Sequence, residues 1–176
     1  GRGLLLINTF MDEEPDYGGE IEVLHFLTFL RDKVGWEKLR EAVQRPLNGL
    51  KVAPFYGCTL LRPQEVALGE GTPVILQDFL RALGAEPVEY SGSGECCGSY
   101  QMIAHPEEGI KRAAKVIGAA NRSHADALIL SCPMCEYNLG TRQNEVVAAT
   151  EGLAQVPTYY FTQLLGVALG LDPELC

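Results

Sequence analysis

An α/β fold, a small parallel sheet of Rossmann type flanked by helices, is what three features of this 176-residue sequence predict. Short apolar runs alternate with amphipathic stretches of helical period, the pattern of successive βαβ units. Runs such as residues 52–56 and 127–130 are apolar without interruption, as strands covered on both faces are. Cysteines or glycine-rich segments follow these runs directly, at the carboxyl ends where open parallel sheets place their ligands.

Taken in order, Leu4-Leu5-Leu6-Ile7 is a strand or the stub of a helix. Residues 12–19 are acidic and carry Pro15 and Gly18-Gly19, so they read as a loop. From 20 to 34 the positions Ile21, Leu24, Phe26/Leu27, Leu30 and Val34 fit one helical face, closed by Gly35. A short second helix is expected over 37–44. Arg45-Pro46-Leu47-Asn48-Gly49 is the expected boundary. It divides a connecting helical segment, 1–49, from the domain proper, 50–176.

Beyond it, residues 51–56 form the first strand and run into Gly57-Cys58. A helix over 73–83 is closed by Gly84, and a brief strand over 87–90 enters the loop Ser91-Gly92-Ser93-Gly94-Glu95-Cys96-Cys97-Gly98. A helix follows over 107–124, with Ile110, Ala113/Ala114 and Ile117 on one face. Strand 127–130 leads straight into Ser131-Cys132-Pro133. A helix is expected from Pro133 to about Thr150, since proline is tolerated in a first turn. A fourth strand over 156–160 and a last helix over 161–169, closed by Gly170, complete the chain.

Composition excludes several classes. Hydrophobic residues make up 47% and charged residues 21%, an ordinary globular mix. With 14 Lys+Arg against 23 Asp+Glu, the net charge is −9. Such a chain is a poor ligand for nucleic acid or an anionic membrane surface. No apolar run reaches the roughly 18 residues that span a bilayer. No charged n-region precedes an apolar h-region, so no signal peptide is expected. Together with the clustered thiols this places the chain in a reducing compartment, the cytoplasm.

The six cysteines are too few for a disulfide scaffold at this length, and they cluster. Cys58 follows the first strand, Cys96-Cys97 the second and Cys132 the third, with Cys135 three residues further on the next helix. Residues dozens of positions apart should therefore meet on one sheet edge. A mononuclear zinc takes four ligands, whereas five thiolates suit a multinuclear cluster, in which several irons each need a terminal sulfur. Backbone N–H groups of the glycine-rich loop and of the helix after Cys132 can donate to sulfur. Zinc on four of the five thiols is the alternative. A third reading, a metal-free Cys132/Cys135 redox pair, leaves three cysteines idle. Cys176 fits none of these patterns and reads as a spare thiol.

These residues resemble a known family. Phe55-Tyr56-Gly57-Cys58, Arg62-Pro63, Cys96-Cys97-Gly98, Cys132-Pro133-Met134-Cys135-Glu136-Tyr137-Asn138-Leu139 and Phe161-Thr162-Gln163-Leu164-Leu165-Gly166 together are similar to the cysteine-rich CCG domain. They also resemble the B component of heterodisulfide reductase, over about residues 20–171. The resemblance implies an electron-transfer or disulfide-reducing subunit, in which Cys58, Cys96, Cys97, Cys132 and Cys135 hold a noncubane [4Fe–4S] cluster. A full-length member of that family carries two such domains with a disulfide substrate between them, so this chain resembles the C-terminal half. Expected partners are an N-terminal CCG half and ferredoxin-like and flavin subunits. His25, in a similar Val-x-His context, is the expected catalytic residue, lining the cleft and supplying protons to thiolate products. Arg62 is a candidate for pairing with a substrate anion, and Tyr137 lies near the cluster ligands in sequence. His105 and His124 are expected at the surface.

Overall fold

The structure, a computed structural model, describes residues 2–11, 13–62, 68 and 74–176. Pro63 and the start of the helix expected from 73 lie outside the described residues.

Four strands form one parallel sheet: β1 (Lys51–Pro54), β2 (Glu86–Pro87), β3 (Ala127–Leu130) and β4 (Thr158–Tyr160), in the order β2-β1-β3-β4. Val52 pairs with Ala127 and Pro54 with Ile129, while Leu128 pairs with Thr158 and Leu130 with Tyr160. The chain leaves β1 toward one edge and returns to the other side of β1 as β3. The gap between the ends of β1 and β3 is thus a topological switch point.

Consecutive strand residues face opposite sides, and each side has its own core. Val52 and Ile129 pack with Leu27, Leu39, Phe79 and Phe161. Those residues come from helices α2 (Phe26–Phe29), α3 (Trp36–Ala42), α4 (Ile75–Ala82) and α8 (Phe161–Ala168). Ala53, Leu128 and Leu130 pack with Val116, Ile117, Leu139 and Val146. These belong to α5 (Pro106–Arg122) and to the helical run made of α6 (Pro133–Glu136), a π turn (Tyr137–Thr141) and α7 (Gln143–Ala148). Cover on both faces explains why Leu128, Ile129 and Leu130 are all fully buried. Leu27, Leu30 and Leu39, which precede the Arg45–Gly49 turn in sequence, lie in the same core as β1.

Of its two expected forms, the run at residues 4–7 takes the helical one, within α1 (Arg2–Asn8), and none of its residues is buried. Several other elements differ from expectation. The helix expected over 20–34 begins only at Phe26. Glu20-Ile21-Glu22-Val23 alternates charged with β-branched residues, which favours extended backbone, and Ile21 and Val23 stand 72% and 91% exposed. His25 caps the helix instead, its Nδ1 accepting from Leu27 N–H at 3.2 Å. The strand expected over 87–90 shrinks to Glu86–Pro87, because Pro87 cannot donate to the ladder and is tolerated only at a sheet edge. Its last bond is Val88 N–H to the Val52 carbonyl, 2.8 Å. The helix expected from 133 to 150 is interrupted by the π turn and by Arg142, at φ −92° and ψ 9°. The helix expected to reach His124 ends at Arg122, and His124 takes a left-handed φ of 54°.

Candidate metal centre

The carboxyl ends of β1 and β3 open onto three cysteine-bearing segments. The exit of β1 is stitched to the glycine-rich loop: the Ser93 carbonyl accepts from Tyr56 N–H (2.9 Å) and Gly57 N–H (3.2 Å). The Ser93 hydroxyl donates to the Pro54 carbonyl at 2.7 Å. These bonds bring Cys58 beside Cys96 and Cys97. From β3 the chain passes through Ser131 into Cys132, whose backbone is extended (φ −108°, ψ 123°), as a residue before proline prefers. Its carbonyl accepts from Cys135 N–H and Glu136 N–H, both at 3.0 Å, and so starts α6.

All six cysteines are free thiols. Cys97 and Cys135 are buried, whereas Cys58, Cys96 and Cys132 are partly open. Burial pushes the Cys58 thiol up, and the neighbouring Cys96, Cys97 and Cys132 sulfurs push it further. Cys97 is held below the ordinary thiol range, first by its hydrogen bond with Cys135 and then by hydrogen bonds from Ser99 and Asn138. Cys135 is correspondingly held up, by that same bond and by burial. Gly98 N–H donates to Cys96 Sγ at 3.4 Å. The five sulfurs thus share one electrostatic neighbourhood, and among the described residues no three His, Cys, Asp or Glu side chains gather tightly enough for a single ion.

A polar frame that the cysteine spacing alone does not announce surrounds the thiols. Asn138 is fully buried. Its Nδ2 donates to the Cys97 carbonyl at 3.4 Å and lies 3.9 Å from Cys97 Sγ. Its spacing was the available signal, since a residue three after Cys135 shares its helix face. The π turn is held by Gln143, whose Nε2 donates to the Leu139 and Val156 carbonyls and whose Oε1 accepts from Val156 N–H at 2.6 Å. Tyr160 donates its hydroxyl to the Ser131 carbonyl. Ser131 Oγ and Asn138 Oδ1 are buried without a hydrogen-bond partner.

The remaining candidates lie outside this group. His25 is half-buried and stacks on Phe161 with ring centroids 6.1 Å apart, and Phe161 contacts Tyr160 at 5.6 Å. Two aromatic rings therefore separate it from the Ser131-Cys132 corner, and burial lowers its pKa. Arg62 is exposed, and its N–H bonds the Cys58 carbonyl at 2.9 Å. Tyr137 is 47% exposed beneath the Arg142 guanidinium, 5.9 Å from its ring centroid. His105 and His124 are exposed, in accord with expectation. Cys176 sits against Gly166 on α8, in a separate part of the molecule.

A family model described as a cysteine-rich domain, CCG, matches residues 52–140, a stretch that contains all five clustered cysteines and excludes Cys176. The chain belongs to the CCG cysteine-rich family. Among relatives of this CCG chain is the 8-methylmenaquinol:fumarate reductase membrane anchor subunit of Wolinella succinogenes, 32% identical over 96% of this chain and 60% of that protein. Another is the B component of the ferredoxin/F420H2-dependent CoB–CoM heterodisulfide reductase of Methanosarcina acetivorans, 32% identical over 90% of this chain and 54% of that protein. A probable iron–sulfur-binding oxidoreductase of Bacillus subtilis is 31% identical over 96% of this chain and 23% of its own length. The CCG chain therefore spans between about half and three fifths of the first two relatives. No helix among its described residues is long and apolar enough to cross a membrane.

Proposed function

We propose that this CCG chain is the iron–sulfur-bearing part of a disulfide-reducing redox protein of the heterodisulfide reductase B type, with Cys58, Cys96, Cys97, Cys132 and Cys135 holding a noncubane [4Fe–4S] cluster. The observation that carries this reading is five thiols from three strand-end segments meeting at the switch point of a parallel sheet. The donor set fits such a group. Soft sulfur ligands outnumber what one zinc takes, N–H donors already point at two of them, and buried polar atoms beside them lack partners. Zinc on four of the thiols would leave the fifth without a role.

A bound cluster would supply electron transfer. The protein's own residues do the rest. The cysteines fix its place, Gly98 N–H and Asn138 offset sulfur charge, and the partly open Cys58, Cys96 and Cys132 mark the side facing solvent. His25 uses Nδ1 as a helix-cap acceptor, so its neutral ring carries the proton on Nε2. In this reading the Nε2–H donates a hydrogen bond that orients thiolate products in a cleft while water supplies their protons, and Arg62 meets a substrate anion. Residues 1–49 act as the connecting segment and 50–176 as the iron–sulfur unit, working in the cytoplasm with an N-terminal CCG half and ferredoxin-like and flavin subunits.

Anaerobic purification followed by iron, sulfide and zinc analysis tests this. The expected result is about four irons and four sulfides per chain, lost in Cys58→Ser and retained in Cys176→Ser. Zinc alone, with no visible absorbance, overturns it.

A further inference from the structure

We propose that Asn138 is a positioning residue for the cluster, which spans the two ligand-bearing loops and hydrogen-bonds the Cys97 sulfur to set the cluster's reduction potential. The inference rests on the iron–sulfur reading above and adds a role for a residue that is not a ligand.

Three observations carry it. Asn138 is fully buried, an unusual place for an amide unless its hydrogen bonds are needed. Its Nδ2 reaches both the carbonyl and the sulfur of Cys97, although Asn138 belongs to the helical run that starts with Cys132 and Cys135. One side chain therefore ties the Cys96-Cys97 loop to the Cys132–Cys135 turn. It also lies within the π turn Tyr137–Thr141, a local widening of the helix that tends to mark functional positions. The widening is built in: the Leu139 carbonyl is taken up by Gln143 Nε2 and, at 3.1 Å, by the Thr158 hydroxyl. Meanwhile Asn138 Oδ1 has no donor, so the amide is fixed by its donor end alone.

An N–H donated to a ligand sulfur stabilises the more negative, reduced form of a cluster and raises its potential. Removing the donor therefore shifts the potential downward. Asn138→Leu keeps the approximate volume without a donor. Asn138→Asp keeps the shape and replaces the donor by an acceptor.

The test is anaerobic redox titration with electron paramagnetic resonance on wild type and both variants, with iron and sulfide measured in each. The expected result is a lowered midpoint potential and an altered reduced-state spectrum in both variants at wild-type iron content. Wild-type potential and spectrum in a fully loaded Asn138→Leu protein overturn the role. A wild-type chain lacking iron and sulfide overturns the cluster reading instead, and this proposal with it. If the variants do not fold, wild-type protein carrying 15N in its asparagine side chains decides the matter. A 15N coupling to the paramagnetic cluster supports the proposal, since Asn138 is the buried asparagine beside the thiols, and absence of coupling overturns it.

Discussion

The Tyr160 hydroxyl donates to the Ser131 carbonyl and so ties the end of β4 to the residue before Cys132. Burial raises the phenol's pKa, and the nearby Cys132 and Cys135 sulfurs raise it further, so it remains a proton donor at neutral pH. Tyr160→Phe removes this donor and leaves the Ser131 carbonyl without it. The expected loss is about 0.5–1.5 kcal/mol of stability, read from urea denaturation, with faster loss of iron from the loaded protein. An unchanged rate of iron loss would show that this bond does not hold the Cys132 corner.

The turn after Cys97 depends on Gly98. At φ +84° its backbone is left-handed, and an added Cβ would sit 2.9 Å from both the Cα and the carbonyl oxygen of Gly109 on α5. Gly98→Ala therefore combines backbone strain of about 1–2 kcal/mol with a collision against rigid backbone. Gly49, at φ +82° with nothing within 4 Å, isolates the strain alone. Thermal denaturation should place Gly98→Ala clearly below Gly49→Ala. Equal melting temperatures would rule out the close approach of the loop to α5.

His25 gives a pH signature. Burial lowers its folded-state pKa from the ordinary 6.5. The unfolded chain then binds the proton more readily, so stability is full above about pH 6.5 and declines as pH falls through the lowered folded-state value. His25→Asn keeps a good cap acceptor for Leu27 N–H and abolishes the titration. Denaturation midpoints from pH 7.5 to 5 should fall more steeply for wild type than for this variant, and parallel profiles would refute the burial effect.

The sequence reading and the structure agree most closely where covalent order dictates position. The apolar runs at 52–56 and 127–130, which lead toward Cys58 and Cys132, are legible because a strand buried on both faces must be apolar, and that pattern is visible without neighbours. Pro133 announces the start of α6 for an equally local reason. What escaped detection depends on partners far away in sequence. Ile21 and Leu24 fit a helical period, yet nothing packs over Ile21 and the helix begins later. The π turn exists because Gln143 and Thr158 take up the Leu139 carbonyl, a pairing with no periodic signature. Asn138 stood within the motif that carried the family resemblance, but its contact with Cys97 required the fold.

The sheet order has a bearing on assembly. At the base of the β1–β3 pair, Lys51 N–H meets the Asp126 carboxylate across 75 residues of chain, so the thiols meet only after a distant crossover has closed. Non-local parallel pairing of this kind forms slowly, and no short peptide cut around Cys132–Cys135 can reproduce the cage. Iron delivered to a nascent or unfolded chain would find two separated thiol pairs and a lone cysteine. In the iron–sulfur reading proposed above, the cluster is therefore seated on the finished scaffold, and mutations deep in the sheet, far from any sulfur, are expected to register first as protein without iron.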